Sequence, residues 1–195
     1  MIKVGIDVGN SKISSIVADI RGDGSKKILS FISKPSNHIK KSFIVNVVSI
    51  QEEINKIIKE AEKESQTQIK SVNLNLPAVD SLSIYNSSEI QISGEMISDL
   101  HLKKAINQSD IFDTIENYDI IKSMILGYSL DNKFLIDKPT ETFGNKLIVH
   151  FYKYAIKKSF TNTLNNLFNK LNIYIENYIP TPLSSSLATL NKDDK

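Results

Sequence analysis

The sequence predicts an α/β protein: a mixed β-sheet backed by helices, interrupted by a small α+β module. Three observations carry this. Three alternating apolar runs separated by turn residues fill the first 33 positions, residues 49–64 place apolar side chains at helical spacing, and an alternating run ends at Pro77. From about residue 79 to residue 156 the texture changes to short strand-like runs around one helix, after which a helical and then a strand pattern return.

Ile2, Val4, Ile6 and Val8 alternate, Gly9, Asn10 and Ser11 form a polar turn, and Ile13 to Ile20 alternates again, which reads as a β-hairpin. Gly22-Asp23-Gly24 is the next turn, and Lys27 to Ser33 supplies a third strand through Ile28, Phe31 and Ile32. Ser49 and Glu52 have the form of a capping box, and Ile50, Ile54, Ile57, Ile58 and Ala61 follow on one helical face, predicting a helix over 49–64. Val72, Leu74 and Leu76 form a fourth strand stopped by Pro77, whose nitrogen has no proton to donate.

Within the inserted block, Leu82 to Tyr85 and Glu89 to Ile92 read as two short strands. A turn at Gly94 and a helix from about Ser98, with Leu102, Ala105 and Ile106 inward, come next. Ile120 to Leu126, Tyr128 to Asp131 and Lys146 to Ile156 fit strands, and Asp137 to Gly144 fits an irregular loop. The host pattern resumes at Ser159, with Phe160, Leu164, Leu167, Phe168 and Leu171 on one helical face and Asn172 as a left-handed C-cap residue. Ile173 to Ile179 is a strand; Pro180 and Pro182 break the chain before a helix over Leu183 to Asn191. The expected division is 1–78 and 157–195 for the host and 79–156 for the insert.

With 195 residues, net charge +2, 41% hydrophobic and 24% charged residues, the chain falls among ordinary globular proteins. Without cysteine it is neither a disulfide scaffold nor a thiolate metal protein, and His38, His101 and His150 form no local ligand motif. Arg21 is the sole arginine, which argues against bidentate phosphate or base readout, and the lysine pairs read as solvated faces. No run approaches about 18 uninterrupted apolar residues, so no membrane span is expected. The pairs Glu52/Glu53 and Asp193/Asp194 are adjacent and do not face each other across a substrate, and Ser184-Ser185-Ser186 lacks a nucleophile elbow. Phe151, Tyr152 and Tyr154 read as half core and half surface, and the 159–171 helix as a core helix rather than a membrane-surface one. No catalytic residue is expected.

The turn Asp7-Val8-Gly9-Asn10-Ser11-Lys12 carries the chemistry of a phosphate cradle. Gly9 permits close backbone approach, the N–H groups of Asn10 and Ser11 can face an anion, Lys12 adds a point charge, and Asp7 can hold magnesium through water. A hairpin turn alone would also favour Gly, Asn and Ser.

The segments VGIDVGNSKISSIVADI, KPSNHIKKSFIVNVVSIQEEINKIIKEAEKESQTQIKSVNLNL, ILGYSLDNKFLIDKPTETFGNKLIVHFYKYAI and LFNKLNIYIENYIPTPLSSSLATLNKDDK, in that order, resemble the FtsA family of bacterial actin-like cell-division proteins. The resemblance covers nearly the whole chain. It implies an actin-like (ribonuclease H-like) lobe with the inserted SHS2 or 1C subdomain, and makes Asp7, Gly9, Asn10, Ser11 and Lys12 the first phosphate loop, for ATP with magnesium. It also implies a scaffold that polymerises at the inner face of the cell membrane. The tubulin-like division protein FtsZ would be bound through a second lobe, and further copies and downstream division proteins through 79–156. Membrane contact would come from a C-terminal helix. A two-lobed chain of this kind needs about 350 residues, so the sequence is expected to be the N-terminal part, without ATPase activity of its own.

Departures from the family pattern are Asn10 for Thr, Asn46 for Asp, and His38, Ser42, Pro77 and Ala78 at positions usually held by glycine; they bear on nucleotide binding. Two alternatives share the superfamily: a type IV pilus assembly protein of the PilM kind, and the N-terminal lobe of a sugar or acyl kinase. Between Gly22 and Asn46 only Asp23 is acidic, which counts against the kinase.

Overall fold

The alternating start of the chain forms β1 (Ile2–Val8) antiparallel to β2 (Lys12–Ile20), with Val8 opposite Ile13, in a computed structural model that describes residues 1–40, 43–77, 81–110, 115–135 and 137–190. β3 (Lys26–Pro35) completes the meander. A two-residue ladder, β4 (Ile39–Lys40) with β5 (Phe43–Ile44), follows without a signal in the apolar pattern. The chain then crosses through α1 (Val47–Ser65) to β6 (Ser71–Leu76), which lies parallel to β1.

The start of α1 differs from the sequence expectation. Asn46, not Ser49, is the N-cap: its Oδ1 accepts from the Ser49 N–H at 3.0 Å, so Ser49 is the third helical residue and the predicted capping box is displaced by one turn. An extended Asn whose side chain satisfies an orphan helical N–H stabilises a start two residues earlier. Ile50, Ile54, Ile57, Ile58 and Ala61 are buried as the spacing predicts. α1 packs on β2 and β3, where Ile13, Val17 and Ile32 are buried, and each fully buried side chain contributes about 1.5–3 kcal/mol.

Residues 1–80 and 158–195 form one unit and residues 81–157 another. In the first, α3 (Lys158–Lys170) buries Thr161, Leu164, Leu167 and Phe168; Phe160 and Leu171 are only half-buried. Asn172 has φ 57°, the left-handed residue expected after the helix. β11 (Tyr174–Pro180) then adds parallel to β6, giving the strand order β11-β6-β1-β2-β3. Pro180 and Pro182 do not break the chain. Pro180 ends β11 and caps α4 (Thr181–Thr189), and Pro182 lies in the first helical turn, where no intrahelical N–H is needed.

In the second unit the two strand fragments expected at 82–85 and 89–92 are one strand, β7 (Ser81–Gln91), because Asn86, Ser87 and Ser88 keep pairing with β10. α2 (Asp99–Asp110) buries Leu102 and Ala105. The two fragments around Gly127 likewise merge into β8 (Tyr118–Leu130), followed by the short β9 (Lys133–Leu135) and by β10 (Lys146–Lys157), in the order β7-β10-β8-β9. Gly127 sits at a register shift opposite His150 and Phe151. A Cβ there would lie 2.6 Å from the Phe134 ring and 2.7 Å from the Leu135 carbonyl, so the approach of β9 requires glycine.

One face of this sheet packs Ile90, Tyr128, Leu147, Val149 and Phe151 against Ile97, Leu102 and Ala105. Burial pushes the Tyr128 hydroxyl pKa up. Tyr154 is buried along with Phe151, correcting the half-and-half expectation; Lys153 to Ile156 are all buried, where a second register shift at Tyr154/Ala155 interrupts the alternation. The Lys153 ammonium donates to the Ser109 carbonyl at 3.2 Å near the end of α2 and lies 5.3 Å from the Phe151 ring centre.

Candidate functional site

β1, β3, β6 and β11 all point the same way in the first unit, because β1 pairs in parallel with β6, β6 with β11, and β3 follows β2 in a meander. Their carboxyl ends, Val8, Pro35, Leu76 and Pro180, therefore share one edge of the sheet. In open sheets of this kind, ligands bind outside the carboxyl ends of parallel strands. The loop 9–11 lies at this edge.

The structure brings the five sequence-selected residues together at the hairpin. Gly9 donates its N–H to the Lys12 carbonyl at 3.0 Å, closing the turn. The N–H groups of Asn10 and Ser11 make no hydrogen bond among the described residues, and both residues are exposed, as is Lys12, whose ammonium has no partner there. A Cβ on Gly9 would stand 3.1 Å from the Lys12 carbonyl oxygen and 3.7 Å from Asp7 Oδ2, so the space over this glycine belongs to the loop. Behind it, the Ser36 N–H donates to the Ser11 carbonyl at 3.0 Å, while the Ser36 hydroxyl is buried without a partner.

Asp7 is half-buried at the end of β1, opposite Asn75 in the parallel register. Its Oδ1 accepts from Asn75 Nδ2 at 2.8 Å. Asn75 Nδ2 also donates to Thr181 Oγ1 at 2.9 Å, the Ser184 hydroxyl donates to Asn75 Oδ1 at 2.9 Å, and the Thr181 hydroxyl donates to the Leu76 carbonyl at 2.7 Å. Asn75 and Thr181 escaped the sequence reading, and Ser184 entered it only within a serine run that lacks a nucleophile elbow. A signal existed for Asn75: Asn73 and Asn75 alternate with buried Val72, Leu74 and Leu76, which puts them on the other face of β6 from its buried side chains, and Asp7 likewise alternates with buried Ile6 and Val8.

Of the departures from the resembled pattern, Asn46 caps α1, His38 Nε2 sits 3.3 Å from Glu53 Oε1, and Pro77 ends β6; Ser42 and Ala78 lie outside the described residues, as do Asp193 and Asp194. Among the described residues no three His, Asp or Glu side chains gather to hold a metal, and no helix is long and apolar enough to cross a membrane. The second unit carries a groove of about 390 Å³ lined by Tyr85, Asn86, Ser87, Leu126, Phe134, His150 and Phe151.

Residues 80–154 match the family described as the SHS2 domain inserted in FTSA. The chain is 19% identical over 192 residues to the cell division protein FtsA of Pseudomonas aeruginosa, covering 98% of this chain and 46% of that one. It is 25% identical over 195 residues to the FtsA of Buchnera aphidicola from Acyrthosiphon pisum, with coverages of 98% and 46%. The chain thus spans about half the length of the curated relatives it matches. Among solved structures, a PilM-PilN type IV pilus biogenesis complex superposes with a TM-score of 0.61 at 10% identity, over 95% of this chain and 49% of that one, a likeness of fold. The fold is an actin-like N-terminal lobe in which the five-stranded mixed sheet is interrupted by the antiparallel SHS2 insert. The chain is thus similar over nearly its whole length to part of the FtsA cell-division proteins, and residues 80–154 match the SHS2 domain inserted in that family.

Proposed function

We propose that this chain is the phosphate-binding lobe of an FtsA-like cell-division scaffold. The observation that carries the reading is the meeting, at one sheet edge, of the uncommitted N–H groups of Asn10 and Ser11, the unpaired Lys12 ammonium and the Asp7 carboxylate. Two adjacent N–H groups and a cation suit a phosphate, and a single carboxylate suits magnesium held through water. The residues present fit ATP with magnesium: Asn10, Ser11 and Lys12 would hold phosphate oxygens, Gly9 lets the loop close tightly on the Lys12 carbonyl, and Asp7 would hold the hydrated ion. The bound magnesium would neutralise phosphate charge.

In this reading the SHS2 unit, residues 79–156 of the sequence division, serves further copies and downstream division proteins. FtsZ and the membrane are met through segments beyond these residues, at the inner face of the cell membrane. The chain works as a structural ATP-binding part and not as an enzyme.

Titration of the 195-residue chain with ATP and magnesium, followed through the amide resonances of Gly9 to Lys12, tests it. Those amides are expected to shift, and Lys12→Ala is expected to weaken binding about tenfold or more, the worth of a charged hydrogen bond. ATP turnover is expected to equal that of Lys12→Ala. Unmoved loop amides at millimolar ATP would remove the reading.

A further inference from the structure

The two oxygens of Asp7 are not equivalent. Oδ1 is taken by the Asn75 amide at 2.8 Å, whereas Oδ2 accepts no hydrogen bond among the described residues and lies on the Gly9 side, 3.7 Å from where a Cβ on that glycine would stand. Asn75 is itself fixed from the opposite side. Thr181 has one hydroxyl proton, directed at the Leu76 carbonyl, so its oxygen is left to accept from Asn75 Nδ2; the one Ser184 hydroxyl proton is shared between Asn75 Oδ1 at 2.9 Å and the Thr181 carbonyl at 3.0 Å. An amide turned the other way would set its oxygen against the Asp7 carboxylate and against a Thr181 oxygen with no proton left. The network therefore permits one orientation, the one that donates to Asp7.

We propose that Asn75 is a positioning residue for the phosphate site: it pins Asp7 Oδ1 so that Oδ2 is presented to the hydrated cation that accompanies the phosphates. Through Thr181 and Ser184 it references that geometry to the first turn of α4. The inference rests on the phosphate-loop reading and goes beyond it, because Asn75 bonds Asp7 and none of Gly9 to Lys12, and so acts through another residue. An unpinned aspartate at a strand end would lose side-chain freedom each time the cation bound, and that cost would appear only when the cation is present. A residue that merely stitches β6 to α4 would instead affect phosphate binding equally with and without the metal.

The experiment compares the wild-type chain with Asn75→Ala and Thr181→Val, titrating ATP once with magnesium and once with EDTA and reading Gly9 to Lys12 amide shifts. Loss of a carboxylate's outer hydrogen-bond partner weakens metal binding about tenfold or more; Asn75→Ala is expected to lose about tenfold with magnesium and less than about twofold with EDTA. Thr181→Val, which keeps the Asp7 bond and loosens only the far anchor, should show a smaller loss of the same magnesium-dependent kind and keeps the test open if Asn75→Ala fails to fold. Equal changes in both conditions, or none, overturn the positioning role and leave the phosphate reading standing. A wild-type chain whose loop ignores ATP in both conditions overturns the phosphate reading, and the positioning role with it.

Discussion

The two sheets of this protein organise their polar groups in opposite ways. In the first unit, crossovers through α1 and through the insert with α3 make β1, β6 and β11 parallel, so strand ends and loops of distant sequence accumulate at one edge. Asp7, Asn75 and Thr181 are separated by up to about 170 positions and yet share hydrogen bonds. In the second unit every pairing is antiparallel, successive loops fall at both ends, and polarity is expressed across the faces. One face is packed beneath α2, while the strands also present Tyr85, 76% exposed and edge-to-face with Tyr152 at 5.4 Å, and Phe134 beside His150 at 5.5 Å. In the proposed reading, the parallel topology builds the end that takes the phosphates, and the antiparallel topology builds the face and the edge strands β7 and β9 that take macromolecular partners.

The sharpest way to break this contrast is at Lys153, a charge placed in the core of the sheet that otherwise segregates by face. Lys153→Ala removes the stem and the bonds to Ser109, and is expected to destabilise the second unit by about 3 kcal/mol in denaturant unfolding followed at β10 amides. A cost below about 1 kcal/mol would mean that neither the buried stem nor the bonds to Ser109 stabilise the unit.

Next is Gly127→Ala. With 2.6 Å and 2.7 Å to the Phe134 ring and the Leu135 carbonyl, the new methyl must push β9 away, at about 2 kcal/mol, with loss of the Tyr128–Leu135 pairing in hydrogen exchange. Unchanged protection across β9 would show that the bulge, and not the glycine, sets this edge.

The smallest effect is on the polar face of the first sheet. Hydrogen bonds from Lys3, then Ser71, hold the Glu176 carboxyl below the usual glutamate range. A depressed folded-state pKa gives stabilisation that is present above the unfolded-state value and is lost as pH falls through the folded one. Glu176→Gln should therefore flatten the acid side of the stability profile and leave its neutral side nearly unchanged, because the carboxylate is partly exposed and screened. An unaltered acid slope would mean that Glu176 is not a source of the acid sensitivity.

Where hydrophobic period was the only information needed, the sequence was readable. The hairpin, the face of α1, the end of β6 at Pro77 and the left-handed Asn172 follow from local sterics and the 2.0 and 3.6 repeats. Misreadings arose where a polar residue acts through a partner far along the chain. Asn86 to Ser88 look like a turn until β10 pairs with them, and Gly127 looks like a break until β9 is seen to crowd it.

The candidate site divides in the same manner. Residues 7–12 are contiguous, and their glycine, amides and lysine announce anion chemistry by type and order. The alternation around Asn75 shows at most which face of its strand it takes, and nothing near Thr181 or Ser184 marks them as its partners. Their meeting required β6 to lie parallel to β1 and β11 parallel to β6, a register set by buried side chains on the opposite face of the same strands. The sequence by itself thus determined the elements and the loop's chemistry, because both depend on near neighbours. Only the tertiary structure decided how Asp7 is held, because hydrogen bonds across a sheet depend on which distant strands the hydrophobic core brings side by side.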